Sequence, residues 1–187
     1  MDHNPPDSDE LQNDCQFTPG LIKRAIIRFY ACNPVTSTTM DRRLKIYLTD
    51  QVRAMFDLLA RLVAINSGSF NKAGVDSVGR VIAEAVSACG LDVTTVEETR
   101  AGNHLVIRNP SFAGAAGQVL LVGHMDTVFA EDTDFTDYRE DGTRAFGPGV
   151  IDMKGGLVAG IYALKALSAV GLLSRIPLVF ICNSDEE

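Results

Sequence analysis

Gln118-Val-Leu-Leu-Val-Gly-His-Met-Asp-Thr127 is the stretch on which the reading of this chain turns. Its first half is almost wholly apolar and too short for a buried helix, so it reads as a strand (118–123) covered on both faces. Its second half, Gly123 to Thr127, turns polar at once. Side chains two residues apart in an extended segment share a face, so His124 and Asp126 point the same way. That pairing suits an imidazole that ligates a metal through one ring nitrogen while a carboxylate holds the other. A His beside an Asp at a strand end also occurs as plain structure, and both readings stay open at this point.

Working outward, apolar segments of helical and strand period alternate. Val52, Met55, Phe56, Leu59, Leu62 and Val63 recur at helical spacing, with Thr49 or Asp50 as N-cap. A second helix is expected from about Asp76 to Cys89, closed by Gly90, and a third from Leu157 to Val170, closed by Gly171. Leu91–Val96, His104–Arg108 and Ile176–Cys182 read as strands, and Asp141-Gly142 as a hairpin turn. This alternation predicts an α/β layered sandwich around a central mixed, largely parallel sheet. Residues 1–48 begin with a polar, Pro- and Asp-rich segment and read as a disordered leader. Met40 offers a second translation start. Residues 49–187 form the patterned domain.

The totals narrow the function classes. The 187 residues are 46% hydrophobic and 22% charged, which is the profile of a globular domain with a real core. A formal net charge of −7 argues against nucleic-acid or anionic-membrane partners. The four cysteines (Cys15, Cys32, Cys89, Cys182) show no CxxC pairing, so free thiols in a reducing compartment are expected. The most apolar N-terminal stretch, Leu21 to Cys32, is interrupted by Arg24 and Arg28 and makes a poor signal-peptide core. A cytoplasmic location follows as an expectation.

Two further polar islands interrupt the scaffold. Gly147-Pro-Gly-Val-Ile-Asp-Met-Lys-Gly-Gly156 places Asp152 just before an apolar helix, whose N-terminal dipole favours negative charge. The string fits neither GxGxxG nor GxxxxGK[ST], which excludes the usual nucleotide loops. The other island, Asp185-Glu186-Glu187, follows an apolar strand at the end where open α/β sheets place their sites. Like charges so placed repel unless a cation sits among them. One imidazole, several carboxylates and no cysteine make a ligand set for zinc or a similar divalent ion. A serine-hydrolase reading through Ser67 or Ser69 has no GxSxG elbow to support it.

In order and spacing, GHMDTVF (123–129), GPGVIDMKGG (147–156) and NSDEE (183–187) resemble the di-zinc carboxypeptidase and aminoacylase family, most nearly its glutamate carboxypeptidase-type members. LLARLVAINSGSFNKAGVD (58–76) resembles the N-terminal region of that subgroup. The resemblance implies a zinc-peptidase fold and a hydrolase that removes a C-terminal amino acid, glutamate first among candidates, from a peptide or N-acyl amino acid. It implies His124 as a ligand of one zinc and Asp126 as the catalytic carboxylate orienting it. Asp152 would bridge two ions, in a segment where the family often has a cis peptide. Glu186 would be the general base and Glu187 a ligand of the second zinc. The cofactor implied is a pair of Zn2+ ions, with Co2+ or Mn2+ able to substitute.

In the family the pattern continues beyond the Glu-Glu pair with a further carboxylate ligand, a distant His ligand and a lid or dimerisation domain. The chain is therefore expected to be the N-terminal part of such a catalytic domain, inactive alone, with a homodimer expected for the full-length enzyme. Two alternatives stand beside this reading. One is an N-acyl amino acid deacylase of the same family; the other is a non-catalytic fragment that acts by associating with a partner chain.

Overall fold

A computed structural model describes residues 16–17, 38–112, 117–142 and 144–187 of the chain. Within these, helices α1 (Thr38–Asp50), α2 (Val52–Val63), α3 (Lys72–Val86) and α4 (Gly155–Ala169) are joined with strands β1 (Gln16–Phe17), β2 (Asp92–Val96), β3 (His104–Arg108), β4 (Val119–His124), β5 (Arg139–Glu140), β6 (Ala145–Phe146) and β7 (Leu178–Asn183).

The expected period-3.6 stripe becomes the buried face of α2, with Leu59 and Leu62 fully enclosed. Its start differs from expectation. Thr49 and Asp50 are the last residues of α1, and Gln51 occupies the cap position without a side-chain cap bond. The division drawn at 48/49 also falls inside α1, because Leu44 is buried and recruits that turn into the fold. The expected leader before residue 38, and with it Cys15 and Cys32, lies almost wholly outside the described residues. Helix α3 begins four residues earlier than its apolar stripe suggested, because Asn71 caps it by accepting from the Gly74 amide at 2.9 Å. Its end is a 3-10 turn at Ser87–Cys89.

The central sheet runs β2-β3-β7-β4. It is mixed, as expected, with β7 and β4 forming its parallel pair; β2–β3 and β3–β7 are antiparallel. The parallel share is thus smaller than the alternating pattern implied. Only the short segment 97–103 joins β2 to β3, and so short a link permits antiparallel pairing alone. Asp141-Gly142 makes the expected hairpin, joining β5 to β6.

Helices α2, α3 and α4 cover one face of this sheet. Leu105, Ile107, Leu178, Phe180 and Cys182 point into that core with Val78, Ile82, Leu157 and Ile161. Each such aliphatic side chain, fully enclosed, contributes about 1.5–3 kcal/mol relative to an exposed one. The other face is open among the described residues, polar where β2 and β3 present Asp92, Thr94 and Arg108 and apolar along β4 and β7. Leu120 and Val122 on β4 are 57% and 62% exposed, and they register against half-buried Val179 and Ile181 of β7. The expectation that β4 is covered on both faces is therefore corrected: no described element packs on that side, and among the described residues β4 also lies at the edge of the sheet. Among the described residues no helix is long and apolar enough to cross a membrane.

Candidate metal centre

The parallel pairing of β4 and β7 sets His124 opposite Asn183, so two of the three polar islands leave the sheet side by side. The ladder continues one step further, where the Met125 amide donates to the Asn183 carbonyl at 2.8 Å. The third island reaches the same place from β6. Gly149 adopts a φ of +70°, a conformation that disfavours side-chain-bearing residues, and a Cβ there would stand 2.6 Å from the Thr127 side chain. The loop thereby lies tight against the end of the GHMDT segment. Asp152 and Met153 break helical geometry within Val150–Lys154, with a cis peptide between them, before α4 begins.

Asp126 is fully buried and its carboxylate is surrounded by donors. Oδ2 accepts from the Ser69 hydroxyl at 2.8 Å and from the Glu187 amide at 3.1 Å. Oδ1 accepts from the Glu186 amide at 3.2 Å and lies 3.3 Å from His124 Nδ1. Burial alone would raise its pKa; the hydrogen bonds from His124, Ser69 and the two backbone amides outweigh that and hold it below the usual carboxylate range.

His124 is equally enclosed, at 5% exposure. Its Nδ1 faces only oxygen acceptors, the Asp126 carbonyl at 3.1 Å and the Asp126 carboxylate, so Nδ1 carries the hydrogen. Its Nε2 is thereby directed at the acidic cluster, 2.9 Å from Asp152 Oδ1 and 3.8 Å from Glu186 Oε2. Burial opposes charge on this imidazole, yet its bonds to Asp126 and Asp152 win and push its pKa up to about 9. A cation bound at Nε2 would take the place of a proton there.

One ligand atom each from His124, Asp152 and Glu187 falls within 4.8 Å of the others. The Asp152 and Glu186 side chains are 68% and 60% exposed, so they line an accessible rim above the buried His124–Asp126 base. Burial, and next the charge of Asp152, raise the Glu187 carboxyl above its ordinary value. Anions pressed together around an anchored imidazole fit a divalent cation, which would remove the repulsion and displace the imidazole proton. The donor set of one nitrogen and hard oxygens suits zinc.

All five residues singled out in the sequence (His124, Asp126, Asp152, Glu186 and Glu187) are brought together here. Two contacts at this place were not anticipated. Ser69, weighed only as a nucleophile, hydrogen-bonds directly to the Asp126 carboxylate with no imidazole between them. Lys154 is buried to 1% exposure, donates from Nζ to the Ile65 carbonyl at 2.8 Å, and has its pKa lowered by burial to about 8. Both lie within stretches already quoted, Ser69 in LLARLVAINSGSFNKAGVD (58–76) and Lys154 in GPGVIDMKGG (147–156), but nothing in those stretches marked either contact.

Comparison with known proteins bears on this geometry. Residues 120–187 match the family described as peptidase family M20/M25/M40. Carboxypeptidase G2 of Pseudomonas sp. (strain RS-16) is 28% identical over 177 residues, covering 90% of this chain and 42% of the relative. The chain thus spans about two fifths of the length of the curated relative it matches. Among solved structures, human carnosine dipeptidase 1 superimposes with a TM-score of 0.64 at 20% identity, over 79% of this chain and 35% of that one. An M20 family metallo-carboxypeptidase from Sulfolobus solfataricus gives 0.56 at 18% identity, over 69% and 30%. These structural likenesses establish the fold. The matched segment, residues 120–187, holds the GHMDT, DMKGG and NSDEE motifs together, and over it this chain is similar to peptidase family M20/M25/M40.

Proposed function

We propose that this chain supplies the metal-binding base of a zinc-dependent exopeptidase or amidohydrolase that releases a C-terminal amino acid from a peptide or N-acyl amino acid. The observation that carries the reading is the convergence of His124, Asp152 and Glu187 within 4.8 Å, with Glu186 beside them. The carboxypeptidase name of the Pseudomonas relative favours a C-terminal residue as leaving group, and glutamate is the first to test.

His124, Asp152 and Glu187 would hold the metal, which when bound acidifies a water and polarises the scissile carbonyl. Asp126 keeps the hydrogen on His124 Nδ1 and thus the lone pair on Nε2. Glu186, exposed at the rim, accepts a proton from the attacking water and returns it to the leaving amine. Two tetrahedral ions need more donors than these described residues offer. The chain by itself is therefore assigned metal binding without turnover. A cytoplasmic location belongs to the same reading, supported by Cys89 and Cys182 being free thiols.

The test incubates the purified chain with zinc and N-acyl-glutamate or glutamate-terminated dipeptides and measures free glutamate. No release is expected from the chain alone. Release that disappears on Glu186→Gln would overturn the assignment of inactivity while supporting the chemistry. N-acetyl and N-succinyl substrates in the same assay separate the deacylase alternative.

A further inference from the structure

We propose that Ser69 is a positioning residue of the metal centre, fixing the Asp126 carboxylate and through it both strand ends that carry the ligands. The inference rests on the metal-centre reading above and adds a residue from outside the three motifs. Asp126 connects otherwise separate pieces of backbone. It touches His124 at the end of β4 and the amides of Glu186 and Glu187 beyond β7. Those groups meet both oxygens, Oδ1 through the Glu186 amide and His124 and Oδ2 through the Glu187 amide. The Ser69 hydroxyl, 2.8 Å from Oδ2, is the shortest of the four contacts and comes from a separate segment, so it reinforces that one orientation.

Ser69 is itself held firmly. Its amide donates to the Thr127 carbonyl at 3.2 Å, and the Thr127 amide donates to the Ser67 carbonyl at 2.9 Å. Gly68 makes a parallel bridge to Thr127, and any Cβ at Gly68 would collide with the Phe129 carbonyl oxygen. The segment between α2 and α3 is thus laid against the GHMDT strand end as a short added strand, with the hydroxyl of Ser69 aimed at the carboxylate. The hydroxyl also lies 3.4 Å from the Glu187 carbonyl oxygen, so it spans both sides of the site. Hydrogen-bond partners of this kind alter metal affinity by roughly 10- to 100-fold when removed.

Two measurements on the whole chain test this with Ser69→Ala and Ser69→Thr. In metal-free protein, amide exchange of Glu186 and Glu187 is expected to quicken about fivefold or more in Ser69→Ala, the loss of one modest hydrogen bond, and to recover in Ser69→Thr. The Ile82 amide in α3 should keep its wild-type rate. Unchanged exchange at Glu186 and Glu187, or an equal acceleration at Ile82, overturns the proposal. In calorimetric titration with zinc, Ser69→Ala is expected to bind 10- to 100-fold more weakly and Ser69→Thr within about threefold of wild type. Equal affinity of Ser69→Ala and wild type also overturns it. A wild-type chain that binds no zinc sinks the metal-centre reading instead, and the exchange rates then decide the role of Ser69 alone.

Discussion

The ammonium of Lys154 donates to the carbonyl oxygen of Ile65 across 2.8 Å, from a side chain that is 1% exposed. This bond ties the loop bearing Asp152 to the turn that follows α2. Its long stem also runs beside Gly149. Lys154→Ala would leave a cavity and an unpaired carbonyl, and is expected to cost about 2–4 kcal/mol of stability. Lys154→Met keeps the volume and relieves a desolvated charge, so at least half of that loss should return. Urea unfolding of the two variants decides the matter. Equal losses would mean that the ammonium bond itself, and not packing, holds the loop.

Asp126→Asn keeps the shape of the hub while replacing one acceptor oxygen with a donor. Whichever way the amide turns, it faces donors: Ser69 and Glu187 on one side, Glu186 and His124 on the other. Stability should fall by about 1–3 kcal/mol, and zinc affinity by roughly 10- to 100-fold. Denaturant midpoints and zinc titration report the two effects separately. An Asn variant as stable and as tight as wild type would show that the carboxylate is not the organising group.

Cys182 is fully enclosed in the sheet and burial pushes its thiol up to about 12. The folded state thus keeps a proton that the unfolded chain gives up near its ordinary value of 9.0. Stability from this group is complete below about pH 9 and is lost as pH rises from there toward 12. The stability difference between wild type and Cys182→Ala should move against wild type by about 1–2 kcal/mol between pH 8 and pH 10.5. Urea unfolding of both at several pH values provides the check. A pH-independent difference would place the thiol in contact with solvent.

Leu120 and Val122 stand exposed on edge strand β4. Substituting both with Lys should change stability by less than about 0.5 kcal/mol each, since neither is packed. It should also lower self-association, because charged edges discourage strand pairing. Sedimentation at rising concentration would show this. A large loss of stability would mean that something in the chain does cover this face.

The elements were legible wherever period and length agreed. His104–Arg108 has the expected bounds, and the α2 stripe and the 141–142 turn stand where the pattern put them. Sheet direction was less legible, because an apolar run such as Val119–Val122 looks alike on a covered strand and on an edge strand. Helix starts shifted where the cap was a side chain, as at Asn71, or where two helices abut, as at Gln51. The candidate site residues stood out because polar residues at strand ends contrast with apolar runs. Ser69 and Lys154 were not, since their contacts are made with backbone and carboxylate far away in sequence.

The proposed cation site joins His124, Asp152 and Glu187. Isothermal titration of the purified chain with zinc tests it most directly, using His124→Ala and Glu187→Gln as partners. Saturable zinc binding is expected for wild type, weakened at least tenfold in each variant. Absence of binding by wild type, or variants that bind as tightly as wild type, would contradict it.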